Sequence, residues 1–412
     1  MTSFFHLKRI SLRFKRPSFR IDLKEMTLVP SAMIFLVVVN NCMSFYAIEM
    51  SLMSYGMLAL TILSFLVMAV ITLRHKTMTR YGFLYVLFMC LIAVISLVQA
   101  TDFKNALYTA FAIWFFLLIM RYYRERPKMV MRAFSIALSF CVYVNLYDMA
   151  IHPDKWLTHE ATGYLLGNNY NQIGCRLIVA LIANSVCMNY GRLWKVNHVL
   201  LLIVSIATLA MVGSMTSLSM VSLYAVYCLV PSSHLRNIGL HGLFVLFLFF
   251  QIFVVFNGKG LENSDLARYI IEDVLHKDIT FTGRTFMWDS AMNSISGSPI
   301  WGWGLVDQQW YMSRMSSFAF GPHDFILAIL INGGLLLLGL YIAICYASYK
   351  PMHMCRNTYN AQLVLFGTVT LWFMALMEMY PYPIMFLPLM FTYYYREYTS
   401  MPSTTEEGKQ AA

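Results

Sequence analysis

The chain has 412 residues, of which 59% are hydrophobic and only 12% are charged. This composition lies far outside the range of soluble globular domains and indicates a polytopic membrane protein. The formal net charge is +10, but most Lys and Arg residues fall between apolar runs, so it does not indicate nucleic-acid binding. The eight Cys residues include no C-x-x-C pair, which argues against a disulfide framework and against a zinc site.

Seven Lys and Arg residues lie within residues 1–26, before the first long apolar run. This charged region is longer than that of a signal peptide, and no small-residue cleavage site follows it. We interpret residues 1–26 as a retained basic arm in the cytoplasm that also touches anionic lipid. Residues 401–412 are predicted to be a disordered cytoplasmic tail, which leaves residues 27–400 as the membrane domain.

Twelve apolar segments are predicted to be membrane-spanning helices, because a crossing helix needs about 20 mostly apolar residues. They are residues 27–48, 52–73, 82–100, 105–123, 129–149, 172–191, 197–213, 217–233, 238–257, 324–348, 359–380 and 383–395. The predicted fold class is therefore an all-α integral membrane protein of about twelve transmembrane helices, with one long outer loop between spans nine and ten.

The Lys and Arg residues are distributed unevenly over the loops between these spans. The N-terminal arm, the loops assigned to the cytoplasm and the C-terminal tail together hold 22 of the 30 Lys and Arg residues. Cytoplasmic loops of membrane proteins carry such an excess of positive charge. Both termini are therefore predicted to be cytoplasmic, and the two long loops, 151–171 and 258–323, are predicted to face outward.

The longest polar interruption of the chain lies within residues 282–334. Apolar residues recur at helical spacing near its start: Phe286, Met287, Ala291, Met292 and Ile295. We expect a short helix on the membrane surface, capped by Thr282 and carrying Arg284 in its first turn. A cation is unfavourable at a helix N-terminus, so Arg284 suggests that an anion binds there. Gly302 and Gly304 allow a tight turn that brings the backbone close to a ligand.

A reaction on the outer side has no ATP and needs a substrate that is already activated, such as a sugar on a lipid diphosphate. Arg suits phosphate because its guanidinium binds in a two-pronged fashion. Arg176 either snorkels to the interface or lines a polar cavity with Asn169 and Asn171. His323 is either an interface residue or a general base.

Other polar and aromatic residues allow weaker hypotheses. The first long outer loop could supply a carboxylate, or could simply be solvated, through Asp148, His152, Asp154, His159 and Glu160. Trp301, Trp303 and Trp310 fit an aromatic belt at the membrane interface, and could equally stack on sugar rings. The chain lacks the usual metal-ligand spacings, so neither a metal nor another cofactor is expected.

The order of these motifs resembles that of the O-antigen ligase and polymerase superfamily of bacterial surface-polysaccharide assembly. The resembling elements are Gly167 to Asn171, Gly283-Arg284 with Trp288, the Pro299-x-x-Gly302-x-Gly304 turn, and His323-Asp324 followed by Gly333-Gly334. They cover about residues 165–340, and the long outer loop lies among them.

The resemblance implies a glycosyltransferase of the bacterial cytoplasmic membrane that takes a glycan from undecaprenyl diphosphate without nucleotide sugar or metal. It implies that Arg284 binds the diphosphate and that His323 is catalytic. The other residues expected to bind substrate are Arg176, Asn169, Asn171, Trp288, Trp303, Gly302 and Gly304. The expected partners are the lipid-linked glycan, membrane lipid, and flippase and chain-length regulator proteins.

The chain departs from the family pattern in two places. Many members carry an Arg near the turn after the seventh span, where this chain has Ser214 to Ser217, and Arg176 is the candidate substitute. The usual His-Asn pair is His323-Asp324 here. The sequence predicts a repeat-unit polymerase, although a ligase would use the same residues. A lipid-linked oligosaccharide transporter would instead place charged residues within several spans, which the predicted spans avoid.

Overall fold

The structure is a computed structural model that describes residues 27–44, 51–75, 78–158, 161–258, 269, 283–317 and 319–399. The predicted basic arm, the predicted tail and the predicted cap Thr282 lie outside the described residues. Within them the protein is α-helical, with isolated bridges in place of strands. The predicted all-α membrane fold class is thereby confirmed.

Fifteen α-helices follow one another in the part of the chain that the structure describes. They are α1 (Leu28–Cys42), α2 (Ser51–His75), α3 (Arg80–Val98), α4 (Phe103–Tyr122), α5 (Pro127–Ile151), α6 (Asp154–Leu157), α7 (Tyr170–Cys187), α8 (Arg192–Val212), α9 (Met215–Leu229), α10 (Ser233–Phe249), α11 (Arg284–Ser296), α12 (Gln308–Arg314), α13 (Phe325–Met352), α14 (Tyr359–Met374) and α15 (Tyr382–Thr399). A π-helical segment, Phe250–Val255, continues α10.

Each of the twelve predicted spans overlaps one of these helices. Among the described residues, eight helices are long and apolar enough to cross a membrane: α2, α3, α4, α5, α7, α8, α10 and α13. The other four predicted spans overlap α1, α9, α14 and α15, which have 15, 15, 16 and 18 residues. A 15-residue helix is about 22 Å long, which is less than the thickness of the hydrocarbon core of a bilayer.

Helix α7 lies at the centre of the bundle, since 89% of the residues in its most apolar stretch are buried inside the protein. It packs against α5, α8, α14 and α15. A buried polar side chain is costly unless it finds a partner, and Asn184 of α7 donates to the Ser135 hydroxyl of α5 at 3.1 Å. The C-terminal half of α7 is thereby held against α5.

Helix α13 is broken at its third turn. Gly333 and Gly334 have non-helical backbone angles, with φ of −155° and +60°. The turn at residues 299–304 crosses this break, and the backbone N–H of Trp303 donates to the carbonyl of Ile331 at 2.7 Å. Backbone groups that the break removes from the helical pattern are therefore bonded to the turn.

The glycines of this crossing are required by close packing. A Cβ added to Gly302 would lie 2.4 Å from the backbone nitrogen of Gly333, and one added to Gly304 would lie 2.5 Å from the Cα atom of Ser96. Both glycines also have positive φ. The tight turn expected from the sequence is present, but the backbone that it brings close belongs to α13 and α3 rather than facing a ligand.

Helix α11 carries the apolar periodicity predicted for the segment after Arg284. Its buried residues are Thr285, Met287, Trp288, Ala291 and Ile295. The helix packs on α13, and these side chains join a hydrophobic cluster with residues of α12 and α13. The predicted helix exists, but its apolar face is buried in protein, where the sequence interpretation expected a membrane surface.

Candidate functional site

A cavity of about 660 Å³ lies where α7, α9, α11 and the α14–α15 connection meet. It is lined by Tyr170, Asn171, Gly213, Ser214, Met215, Thr216, Ser217, Ser219, Met220, Phe250, Arg284, Phe373, Met374, Met377, Glu378 and Tyr380. The wall is therefore mixed, with hydroxyl groups on one side and one charge of each sign elsewhere. It lies at the end of the bundle that the charge distribution predicts to face outward.

Arg284 brings the positive charge to this cavity. It is the first residue of α11, it is half-buried, and its Nε atom donates to the backbone carbonyl of Met377 at 3.0 Å. Among the described residues that line the cavity, it is the only Lys or Arg. A guanidinium stays charged at every physiological pH, so the cavity carries a permanent cation.

The start of α9 forms the hydroxyl-rich side of the wall. Ser214 is its N-cap residue, and its side chain makes no capping hydrogen bond. The first backbone N–H groups of a helix have no intrahelical acceptor and carry partial positive charge. The turn after the seventh predicted span is where the resemblance leads one to expect an Arg. Here the cavity has instead the hydroxyls of Ser214, Thr216 and Ser217 beside a helix N-terminus.

Glu378 brings the negative charge, and it connects the cavity to His323. The His323 Nδ1 atom lies 3.7 Å from Glu378 Oε2, which is an ion-pair distance but too long for a hydrogen bond. The two side chains are 28% and 15% exposed, so both remain accessible at one edge. His323 also has a φ of +50°, a backbone conformation that is uncommon for residues other than Gly, although Asn, Asp and His adopt it more often than the rest.

Asp324, the second residue of the family's paired motif, has a different surrounding. It is fully buried, and its Oδ1 atom accepts from the backbone N–H of Leu327 at 2.6 Å and from Gln251 Nε2 at 3.4 Å. It therefore caps α13. Gln251 belongs to the π-helical segment after α10, a feature that often occurs near functional sites. This cap fixes the backbone that carries His323.

Arg176 does not line the cavity. Its side chain is buried, and its Nη1 atom donates to the carbonyl of Gln172 at 2.6 Å, against the face of Gly167. A snorkelling Arg would be exposed, so that alternative does not describe it. Gln172 in turn donates to the carbonyl of Met379 at 2.7 Å, which ties Arg176 indirectly to the segment that bears Glu378.

The remaining residues predicted to bind substrate divide between the cavity and the core. Asn171 lines the cavity, whereas Asn169 caps α7 by accepting from the backbone N–H of Asn171 at 2.8 Å. Trp288 is completely buried, so its contacts are those of a core residue. Trp303 is half-buried, with the guanidinium of Arg314 4.7 Å from the centre of its ring.

Glu378 is a site residue that the sequence interpretation missed, although a signal was present. It is the only charged residue within the predicted span 359–380. An ionisable residue inside a predicted span is by default a functional hypothesis. Gln172 was missed too, because a single amide at a helix start carries no comparable signal.

Three of the polar residues considered in the first outer loop, Asp148, His152 and Asp154, do not line the cavity, and His159 and Glu160 lie outside the described residues. Asp148 is buried, and it pairs with Lys155 at 2.9 Å and with His152 at 3.2 Å. These contacts give Asp148 a local structural role. The described residues contain no group of three or more His, Cys, Asp and Glu side chains that could hold a metal ion.

Comparison with known proteins gives a match for the part of the chain that includes α9 and α11, two of the helices that line the cavity. Residues 199–342 match the family model described as O-antigen ligase, which is about a third of the chain. No curated protein and no solved structure matches. The match includes Arg284 and His323, while Glu378 lies beyond it. The resemblance to the O-antigen ligase and polymerase superfamily is thus confirmed over residues 199–342, and this match supports a ligase- or polymerase-type function.

Proposed function

We propose that this protein polymerises lipid-linked oligosaccharide repeat units, with a growing glycan on undecaprenyl diphosphate as the donor. The observation that supports this function best is the single cavity in which Arg284 and Glu378 meet, with His323 3.7 Å from Glu378. A cation for the leaving group and a carboxylate–imidazole pair for the acceptor are the two requirements of this reaction.

The donor diphosphate binds between Arg284 and the start of α9. Both sides of this space favour anions, because one carries a guanidinium and the other a helix N-terminus with hydroxyl groups. A volume of about 660 Å³ is within the usual range for small-ligand pockets, and it accommodates a diphosphate with the first sugar or two. The rest of the glycan extends into water.

The reaction joins an acceptor hydroxyl to the anomeric carbon of the donor sugar. The new carbon–oxygen bond forms as the bond between that carbon and the diphosphate oxygen breaks, and the electron pair leaves with the lipid diphosphate. Arg284 stabilises the negative charge that develops on the leaving group. The hydroxyl proton passes to the His323–Glu378 pair.

We assign the proton transfer to the pair rather than to His323 alone, because Glu378 lines the cavity and His323 adjoins it. The carboxylate stabilises the imidazolium that forms when His323 takes the proton. Glu378 would be repelled by the diphosphate, so the acceptor side of the cavity is the side on which it acts.

A ligase is the second candidate, since the matching family model is described as O-antigen ligase. It would use the same donor half of the cavity and pass the finished glycan to a different acceptor. A transporter without chemistry is a weaker alternative. Passage of a substrate does not require a cation and a carboxylate–imidazole pair in the same cavity, whereas the proposed reaction uses both.

The test uses purified protein with a synthetic undecaprenyl-diphosphate-linked oligosaccharide and no nucleotide sugar. A polymerase converts the substrate into lipid-linked glycans of two, three and more repeats and releases undecaprenyl diphosphate. A ligase gives product only after a lipid A core acceptor is added. Substrate that stays unchanged under both conditions, while crossing a vesicle membrane, would reject the proposed reaction in favour of transport.

A further inference from the structure

A second large groove lies at the opposite end of the bundle from the Arg284 cavity. Its volume is about 1120 Å³, and it is formed by the starts of α1 and α5. Both helices run away from it, since α1 is followed by Met43, which pairs with Leu166 just before α7. The groove is thus at the end that the charge distribution predicts to be cytoplasmic.

The lining of this groove has two zones of different chemistry. The rim carries four cations and two carboxylates: Arg124, Arg126, Lys128, Arg132, Glu125 and Glu397. The zone further along the helices is apolar and includes Ala32, Phe35, Leu36 and Ile136. The rim therefore has an excess of positive charge, and it borders an apolar surface.

The apolar zone continues beyond the groove towards the centre of the membrane. The ring of Phe35 lies 5.0 Å from that of Phe140, and Phe140 and Ile136 are 42% and 54% exposed on the outside of the bundle. On α5, Ile136 and Phe140 are four residues apart and share one face. An acyl chain whose headgroup lies at the basic rim can follow this face and remain in an apolar environment.

We propose that this groove binds one anionic phospholipid, with its phosphate at the basic rim and an acyl chain along Phe35 and Ile136. Basic pockets between helices on the cytoplasmic side of membrane proteins recognise anionic headgroups in this way. The positive-inside rule by itself explains cations in the loop, but it does not require an apolar groove beneath them.

Charge and polarity argue against other occupants. Residues 1–26 carry seven Lys and Arg residues, so the rim would repel them. A free phosphate or a nucleotide would satisfy the cations but leave the apolar lining in contact with water. A zwitterionic lipid would fill the apolar zone and leave the excess positive charge of the rim unbalanced.

The test measures lipid retention by native mass spectrometry on delipidated full-length protein. Phosphatidylglycerol and phosphatidylcholine with identical acyl chains are added in equal amounts, and the wild type is expected to retain phosphatidylglycerol preferentially. The variant Arg124→Gln/Lys128→Gln removes two exposed rim cations. Since a cation near an anionic headgroup contributes about 1 kcal/mol, or fivefold, the preference should fall by about 5- to 25-fold.

The matched control is Arg192→Gln/Lys195→Gln, which removes two exposed cations at the same end but outside the groove. It should keep the wild-type preference. An equal loss in the control, or an unchanged preference in the rim variant, would overturn the proposal. Competition by glycerol 3-phosphate at the same concentration would also overturn it, by assigning the rim to a free phosphate. Uptake of phosphatidylglycerol only after removal of residues 401–412 would assign the groove to the predicted C-terminal tail.

Discussion

Replacing Arg284 tests the proposed donor site most directly. Arg284 is the only Lys or Arg among the described residues of the cavity wall, so no neighbouring cation there can take over its charge. It also holds the carbonyl of Met377 through Nε at 3.0 Å. The side chain therefore has a structural task, and in the proposed reaction it also has an electrostatic one, which Arg284→Ala and Arg284→Lys remove to different extents.

Arg284→Ala removes both tasks. The loss of one group that stabilises a developing anion costs roughly 3–4 kcal/mol, or about 10² to 10³ in rate. Arg284→Lys keeps the charge, but a Lys side chain has one nitrogen, whereas the guanidinium of Arg has three. That nitrogen can replace either the hydrogen bond to Met377 or the contact with the diphosphate, so we expect Lys to lose about 10² in rate.

The assay is the length of surface polysaccharide on a gel, measured beside the amount of protein in the membrane. Both variants should reach the membrane at normal levels and make no ladder of repeats. Lys104→Ala is the control, because Lys104 is an exposed cation at the start of α4, at the end of the bundle predicted to face outward, and does not line the cavity. A wild-type ladder from Arg284→Lys or Arg284→Ala would show that the diphosphate binds elsewhere.

Three further predictions concern the acid–base pair, the glycine crossing and the absence of a metal. His323→Ala and Glu378→Gln should each slow turnover about 10²-fold or more without loss of protein from the membrane, and normal rates in purified Glu378→Gln would remove Glu378 from the mechanism. Gly302→Ala should reduce the amount of folded protein, since its Cβ would meet backbone at 2.4 Å, whereas Gly339→Ala, with open space around it, should be tolerated. Turnover should persist in chelator, and recovery on addition of magnesium after its loss would contradict a metal-independent reaction.

The arrangement of helices along the chain was predictable because most spans are apolar runs bounded by charge, and the others are bounded by glycine, serine or proline turns. The lengths were less predictable, and α9 shows why. The sequence placed the turn before it at residues 213–217, but the helix begins at Met215, because Gly213 alone supplies the left-handed residue that ends α8. Hydropathy marks where a chain is apolar, whereas backbone conformation decides where a helix starts.

The position of Arg284 at a helix start was predictable, and a cation there is unusual, which makes it a candidate anion-binding residue. Glu378 was missed for the opposite reason. It stands inside an apolar run, and the charges of this chain were expected to lie outside the predicted spans. Its relation to His323 depends on how α13 and the connection before α15 meet, and no spacing in the sequence reports a contact between residues 55 positions apart.

The glycines and Trp288 illustrate a different limit. A glycine can permit the close approach of a ligand or of another backbone segment, and the sequence does not distinguish these two roles. Gly302 and Gly304 pack against α13 and α3. Likewise, Trp288 is conspicuous in a polar segment, but it is completely buried, where it anchors α11 to the hydrophobic cluster.

These structural roles bear on how the cavity keeps its shape. Arg284 at the start of α11, His323 before α13 and the crossing turn all belong to one connected unit, since α11 packs on α13 and the turn bonds across the break in α13. A displacement of this crossing would move Arg284 and the imidazole of His323 together. In the proposed reaction the glycines would therefore act through position rather than contact, because groups that stabilise a transition state are effective only when they are held in place.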